Sequence, residues 1–249
     1  MRPKVAAEEE RAKGARALSP SPGESREALG LIFSPLERGD GFRHGAIGAP
    51  GYGKTYGLRY VIDEALERQL VDVVLSHDTK GSTAEFTGLE CRTVEDAAQA
   101  GQHDERHLVF RGDPYEDVLV DVEDVALLGK RLAQKERLTV LLNVGELKDA
   151  LTDGGRSWRS PTTLWFSAQG RSLRACLTWT VQQPKRAPDE IFDQSTTIAF
   201  HHLDARAANY LGGTLLLDED MVSVLPRLDQ GEFVLWQQGI EWNRRVYRF

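Results

Sequence analysis

Short runs of β-branched and aliphatic residues alternate along this chain with longer stretches whose apolar positions recur every three or four residues. That alternation predicts an α/β fold, with strands buried on both faces and helices that bury one side. The first helical repeat is Leu58, Val61, Ile62, Ala65, Leu66 and Leu70, preceded by the short apolar piece Ala46-Ile47. Strand-like runs follow at 71–76, 107–111, 138–144, 175–181 and 196–201, and the run 138–144 is the most apolar. Between them the pattern predicts helices over 93–98, 118–135, 162–174 and 205–211. Thr93 and Asp96 occupy capping-box positions in the first of these, and Gly212-Gly213 is expected to close the last. Residues 232–236 and 245–249 predict two strands about a turn at Gly239. Strands alternating with helices imply a mostly parallel sheet covered on both faces, with the C-terminal pair added antiparallel.

The pattern is missing at the start. Residues 1–28 hold few large apolar side chains, and Ser19-Pro20-Ser21-Pro22-Gly23 interrupts regular structure. A flexible polar tail is expected over 1–28 and a single domain over 29–249, with 29–43 as its entry segment.

Composition narrows the class. With 249 residues, 41% hydrophobic and 28% charged, the chain reads as an ordinary soluble globular protein. It holds no apolar run of about eighteen residues, so no membrane span is expected. The N-terminus lacks the apolar centre of a secretory signal. Cys91 and Cys176 have no His or Cys at metal spacing and are expected as free thiols of a reducing compartment. His201-His202 likewise lacks a third ligand. A net charge of −7 argues against a surface coated for duplex DNA, but not against a few local phosphate contacts.

The candidate chemistry centres on Gly48-Ala49-Pro50-Gly51-Tyr52-Gly53-Lys54-Thr55, which fits G-x-x-x-x-G-K-[ST] at every defined position. It lies between a strand end and a helix start, where backbone N–H groups and the helix terminus converge on one anion. Lys54 is expected at the β- and γ-phosphates of ATP and Thr55 at Mg²⁺. Hydrolysis needs a second acid at the end of an apolar strand. Glu146 after the 138–144 run is the candidate general base or water-orienting group. The preceding residue, where an Asp is usual, is Gly145; Asn143, Asp78 and Asp149 are the substitutes considered, and Asp78 is the expected second metal ligand. Gln182, ending the next strand, is placed to sense a γ-phosphate or orient water. Arg156, Arg159, Arg171, Arg174 and Arg206 are candidate arginine fingers.

These elements together resemble the FtsK/HerA superfamily of P-loop ring translocases. Gly48–Thr55 resembles its phosphate loop, and His77-Asp78-Thr79-Lys80-Gly81 its D-x-K-G element. Residues 140–149 resemble its hhhhDEhxD segment, with Gly145 in place of Asp. Gly170-Arg171-Ser172 with Thr180-Val181-Gln182-Gln183-Pro184 resembles its GR…TQxP element, with Val181 where Thr is usual, and Leu203-Asp204-Ala205-Arg206 the following segment. The likeness spans about 44–249, and its compact form is similar to the genome-packaging ATPases of tailless double-stranded DNA viruses with an internal membrane. It implies a RecA-like P-loop fold, ATP and Mg²⁺ as ligands, and a homo-oligomeric ring, expected to be a hexamer. It further implies double-stranded DNA in a central pore and a neighbour's arginine, Arg171 or Arg206, completing each site. A capsid-vertex or membrane-associated viral partner, and a place in the host cytoplasm or the virion, follow from the same likeness. Two other readings stand beside it. One is a weakly hydrolysing nucleotide switch or scaffold; the other is a DNA-transfer or phage-assembly ATPase of the same superfamily.

Overall fold

A computed structural model describes residues 24–78, 86–100, 105–111, 120–152, 157–240 and 245–248. The apolar runs become strands: β1 (Arg43–Ile47), β2 (Val73–Asp78), β3 (Leu89–Cys91), β4 (His107–Arg111), β5 (Val140–Val144), β6 (Cys176–Val181), β7 (Thr197–Phe200), β8 (Glu232–Gln237) and β9 (Tyr247–Arg248). They join in one sheet ordered β3-β4-β2-β5-β6-β1-β7-β8-β9. Every pairing from β3 to β7 is parallel, and β8 and β9 close the far side antiparallel. Strands β1, β2, β5, β6 and β7 are buried at every residue, as expected of parallel strands covered on both faces.

Helices cover both faces. On one lie α1 (Glu24–Glu37) and α2 (Lys54–Glu67), whose Leu29, Ile32, Val61 and Ile62 pack with Val74, Leu141 and Cys176 of the strands. On the other lie α4 (Val122–Arg131), α5 (Pro161–Ala168), α6 (Asp189–Gln194) and α7 (Ala205–Leu215). Val125, Phe166, Phe192 and Leu211 there meet Leu75, Leu142, Leu177 and Trp179. The short α3 (Val94–Ala100) follows β3, and α8 (Glu219–Val224) follows α7. Trp179 lies close against Gly45 of β1, where an added Cβ would stand 2.2 Å from the indole. Among the described residues no helix is long and apolar enough to cross a membrane.

A polar row crosses the buried sheet. Ser76, Asn143, Thr178, His44 and Thr197 stand in register on β2, β5, β6, β1 and β7. They lie two residues along from Val74, Leu141 and Cys176, hence on the face that α2 covers. Asn143 Nδ2 donates to Ser76 Oγ at 3.1 Å, and Thr178 Oγ1 donates to Asn143 Oδ1 at 3.0 Å. His44 Nδ1 lies 3.0 Å from Thr197 Oγ1. These groups are tolerated inside because they satisfy one another.

Several boundaries differ from the sequence expectation. Among the described residues the first helix runs from Glu24, with Ala28 buried, so α1 takes in the end of the expected tail and most of the entry segment. Pro35 sits inside α1, and Leu31 O, which Pro35 cannot reach as a donor, accepts Ser34 Oγ at 3.0 Å. Helix α7 runs through Gly212-Gly213 because Gly212 admits Val222, whose Cγ2 would lie 2.8 Å from a Cβ there. The expected 162–174 helix stops at Ala168 and continues as a 3₁₀ turn, Gly170–Leu173, with Arg174 left-handed. Helix α4 is capped by Asp121, which accepts from Glu123 N at 2.9 Å, and ends in a π turn, Leu132–Glu136. The capping box forms as expected: Asp96 N donates to Thr93 Oγ1, and Thr93 N to Asp96 Oδ2. Strand β3 and helices α6 and α8 had no periodic signal, being three to six residues long. The tail to residue 23, Thr79-Lys80-Gly81, Gly112-Asp113-Pro114 and Arg156 lie outside the described residues.

Candidate functional site

Strand β1 ends at Ile47 and α2 begins at Lys54, so the glycine-rich motif is the connection between them. Two backbone bonds fix its base: Gly48 N donates to Val181 O at 3.3 Å and Ala49 N to His202 O at 2.8 Å. Gly48 lies so close to His201 that a Cβ would stand 2.7 Å from the histidine Cβ. Gly51 (φ 80°) and Gly53 (φ 96°) take left-handed conformations that other residues adopt at a cost. Gly53 caps α2 and accepts from Gly57 N at 2.8 Å. The loop therefore turns into the helix with its N-terminal amides and partial positive charge at the mouth. Lys54 is buried, its Nζ donating to Ala49 O at 2.8 Å across the loop. Thr55 is half-buried in the first turn of α2.

Strand β6 lies between β1 and β5, so Gln182 follows the strand beside the loop's own and Glu146 the next one over. The two side chains meet: Gln182 Nε2 donates to Glu146 Oε1 at 2.7 Å. Glu146 is only 6% exposed. Gly145 is held on both sides, its N–H donating to His77 O at 3.0 Å and its carbonyl accepting from Thr180 Oγ1. A Cβ at 145 would stand 3.0 Å from His77 O, a tight contact that the β2 backbone would have to relieve.

Asp78 does not join Thr55. It ends β2, three strand spacings from β1, or about 14 Å. Its carboxylate is buried and meets Arg111 Nε at 3.4 Å, while Arg111 also reaches Glu90 and Phe86 O. This corrects the expectation of one metal ion shared by Thr55 and Asp78. Asn143 belongs to the buried polar row and Asp149 to the 3₁₀ turn Leu147–Ala150. Among the described residues no group of three or more His, Cys, Asp and Glu could hold a metal.

The arginines divide by edge. Arg171 lies in the turn entering β6, where its carbonyl accepts from Gly41 N at 2.9 Å. The six residues of β6 separate it from Gln182 by about 20 Å, so it cannot serve the site of its own chain. Arg174 shares that far edge. Arg206 is exposed in the first turn of α7, on the same edge as the loop, and Arg159 pairs with Asp121 at 2.6 Å.

Lys54 is the cation within the Gly48–Thr55 motif itself. Burial, and then the charge of Lys54, push the His201 imidazole down to about 4. Burial and His201 push His44 down to about 3. Both thiols are free and buried, and burial raises Cys91 to about 11 and Cys176 to about 12. Neither is a nucleophile in this setting.

The contacts that flank the motif escaped the sequence reading. Tyr52 stacks on His202, with ring centroids 4.3 Å apart and planes 12° from parallel. His202 is held by Leu228 O at 3.2 Å, and Gly231 N donates to Tyr52 O at 3.3 Å. Together with Asp229 and Gln230 these border a cavity of about 480 Å³ next to Pro50 and Gly51. On the other side, Lys148 and Arg186 line a smaller cleft with Glu146 and Gln182. The segments are distant in sequence and no short motif links them.

The chain matches no model of a known protein family and no curated protein sequence. It is similar to solved structures. The genome packaging NTPase B204 from Sulfolobus turreted icosahedral virus 2, in complex with AMPPCP, superposes with a TM-score of 0.61 at 13% identity, over 79% of this chain and 92% of that one. The same protein with ATP-gammaS gives 0.60 at 13%, over 83% and 95%. VirB4 of Thermoanaerobacter pseudethanolicus gives 0.61 at 9%, over 82% and 89%. Similarity at this identity shows the fold: a mostly parallel α/β sheet with helices on both faces.

Proposed function

We propose that this protein is an ATP-driven double-stranded DNA translocase, working as a genome-packaging motor. The observation that carries the reading is the Glu146–Gln182 pair, bonded at 2.7 Å on the strands next to a complete phosphate loop. A loop alone would bind a nucleotide; a buried carboxylate beside it supplies the means to split one. The similarity to a genome packaging NTPase supports the choice of a packaging motor.

The residues fit ATP. Left-handed Gly51 and Gly53 let the loop curl, Lys54 crosses it, and the α2 terminus faces the same point. Bound Mg²⁺ would neutralise charge on the phosphates, with the Thr55 hydroxyl as its protein ligand. Glu146 holds the attacking water and takes its proton, and Gln182 positions Glu146 and reads the terminal phosphate. A ring, hexameric in this reading, brings Arg206 or Arg171 of a neighbour to the site and surrounds the DNA. The motor acts in the host cytoplasm and at the virion, with a capsid-vertex or membrane-associated viral partner.

Turnover should be measured with Mg²⁺, with and without double-stranded DNA. Wild type is expected to hydrolyse ATP faster with DNA. Lys54→Ala should lose nucleotide binding. Glu146→Gln should keep binding and lose about 100-fold or more in kcat. No turnover under any condition would end the motor reading, as would a strictly monomeric protein by native mass measurement with nucleotide. Gly145 favours a second reading, a nucleotide switch that hydrolyses poorly. Tight ATP binding by wild type with no DNA-stimulated turnover would select it.

A further inference from the structure

Beyond Gln182 the chain makes a rigid turn that carries two cations in different directions. The 3₁₀ turn Pro184–Arg186 is closed by Arg186 N donating to Gln183 O at 2.9 Å and Ala187 N to Pro184 O at 3.0 Å. Pro184, Ala187 and Pro188 are buried, so the backbone that bears Arg186 is anchored. Lys185 leaves the turn outward, its Nζ 5.3 Å from the centre of the Tyr210 ring. Arg186 instead lines a cleft of about 190 Å³ that also holds Glu146, Lys148 and Gln182, with Leu151 and Val181 as apolar walls. Among the described residues neither Arg186 nor Lys148 forms an ion pair with a carboxylate. The cleft begins where the phosphate loop begins, because Val181 O accepts from Gly48 N.

The geometry points to this cleft as an oxyanion subsite for the terminal phosphate of a nucleoside triphosphate, with Arg186 as a catalytic residue acting within its own chain and Lys148 beside it. The inference rests on the nucleotide-site reading above. Two cations stand next to one carboxylate there, so the lining carries net positive charge without a neighbouring subunit. A guanidinium presents a planar fork of donors to a phosphate, and it strengthens its hold as charge develops on the transferring group. Arg186 and Lys148 are both exposed to solvent, so an entering phosphate can meet them directly. Arg171 cannot reach this place within one chain, and Arg206 lies on α7, outside the turn that Arg186 occupies. Position 186 thus puts a cation at the γ-phosphate independent of ring assembly.

The test compares affinity for a non-hydrolysable ATP analogue with affinity for ADP, by calorimetry with Mg²⁺ on the full chain. Wild type, Arg186→Ala, Arg186→Lys and Lys185→Ala are measured side by side, with Lys54→Ala as the loop control. Arg186→Ala should weaken the analogue at least tenfold and leave ADP within about twofold, because only the terminal phosphate loses its partner. Arg186→Lys should recover part of the loss, and Lys185→Ala should behave as wild type. An analogue-to-ADP ratio unchanged in Arg186→Ala, in a protein that binds both and loses them in Lys54→Ala, overturns the inference and leaves the nucleotide site standing. If wild type binds neither nucleotide, the site reading itself fails, and the subsite with it.

Discussion

Gly145 is the residue at which this site departs most from the usual P-loop arrangement. The strand before it is apolar and the glutamate after it is present, so sequence alone reads the glycine as a missing Asp. The structure adds a steric factor, since a Cβ there would stand 3.0 Å from His77 O and press on it. Gly145→Asp is therefore expected to lower stability by about 1–2 kcal/mol through overpacking against the β2 backbone, read as a lower midpoint in chemical denaturation. Unchanged stability would mean that the backbone yields and the acid can be accommodated. Glu146 and Gln182 are different in kind. Each could be singled out from its strand-end position, but their mutual bond follows from β5 and β6 being neighbours, which no local pattern states.

Among the elements, α7 shows how packing overrides propensity. Two adjacent glycines would normally end a helix. Here Gly212 admits Val222 of α8, and the helix continues to Leu215. It then stops at Leu216, a left-handed leucine (φ 51°) that is 89% exposed. A side chain in this conformation is strained and buries nothing in return. Leu216→Gly should raise stability by about 0.5–1 kcal/mol, since glycine is the favoured residue at a left-handed helix end. A fall in the denaturation midpoint would show instead that the leucine packs in solution. Helix α1 teaches a similar lesson. Pro35 and the breaker-rich segment before residue 24 hid a helix that exists because Leu29, Ile32 and Phe33 find the sheet.

For the molecule as a whole, the buried histidines set a pH dependence. Burial holds His44 down to about 3 and His107 and His201 down to about 4, whereas the unfolded imidazole titrates near 6.5. Between those values the unfolded chain binds more protons than the folded one. Stability from these groups is complete above about 6.5 and drains as pH falls toward 4. The denaturation midpoint should drop from pH 7 to pH 4.5, and His44→Gln should make that dependence shallower. An identical slope in the variant would show that His44 titrates alike in the folded and unfolded chains. The charge of Lys54 contributes to holding His201 neutral, so folding and the candidate site share this electrostatic balance.

The fold class was legible because strands buried on both faces and helices buried on one leave different periods in the sequence. The phosphate loop was legible because its glycines, lysine and threonine are contiguous and each answers a local need of backbone or ligand. Other features depended on the order in which the strands assemble. That order put Asp78 about 14 Å from the loop strand, sent Arg171 to the far edge and brought Arg186 into the cleft with Glu146. Strand order is fixed by burial summed over the whole sheet. A residue's neighbours across that sheet lie tens of positions away in the chain, and only the tertiary structure decides them.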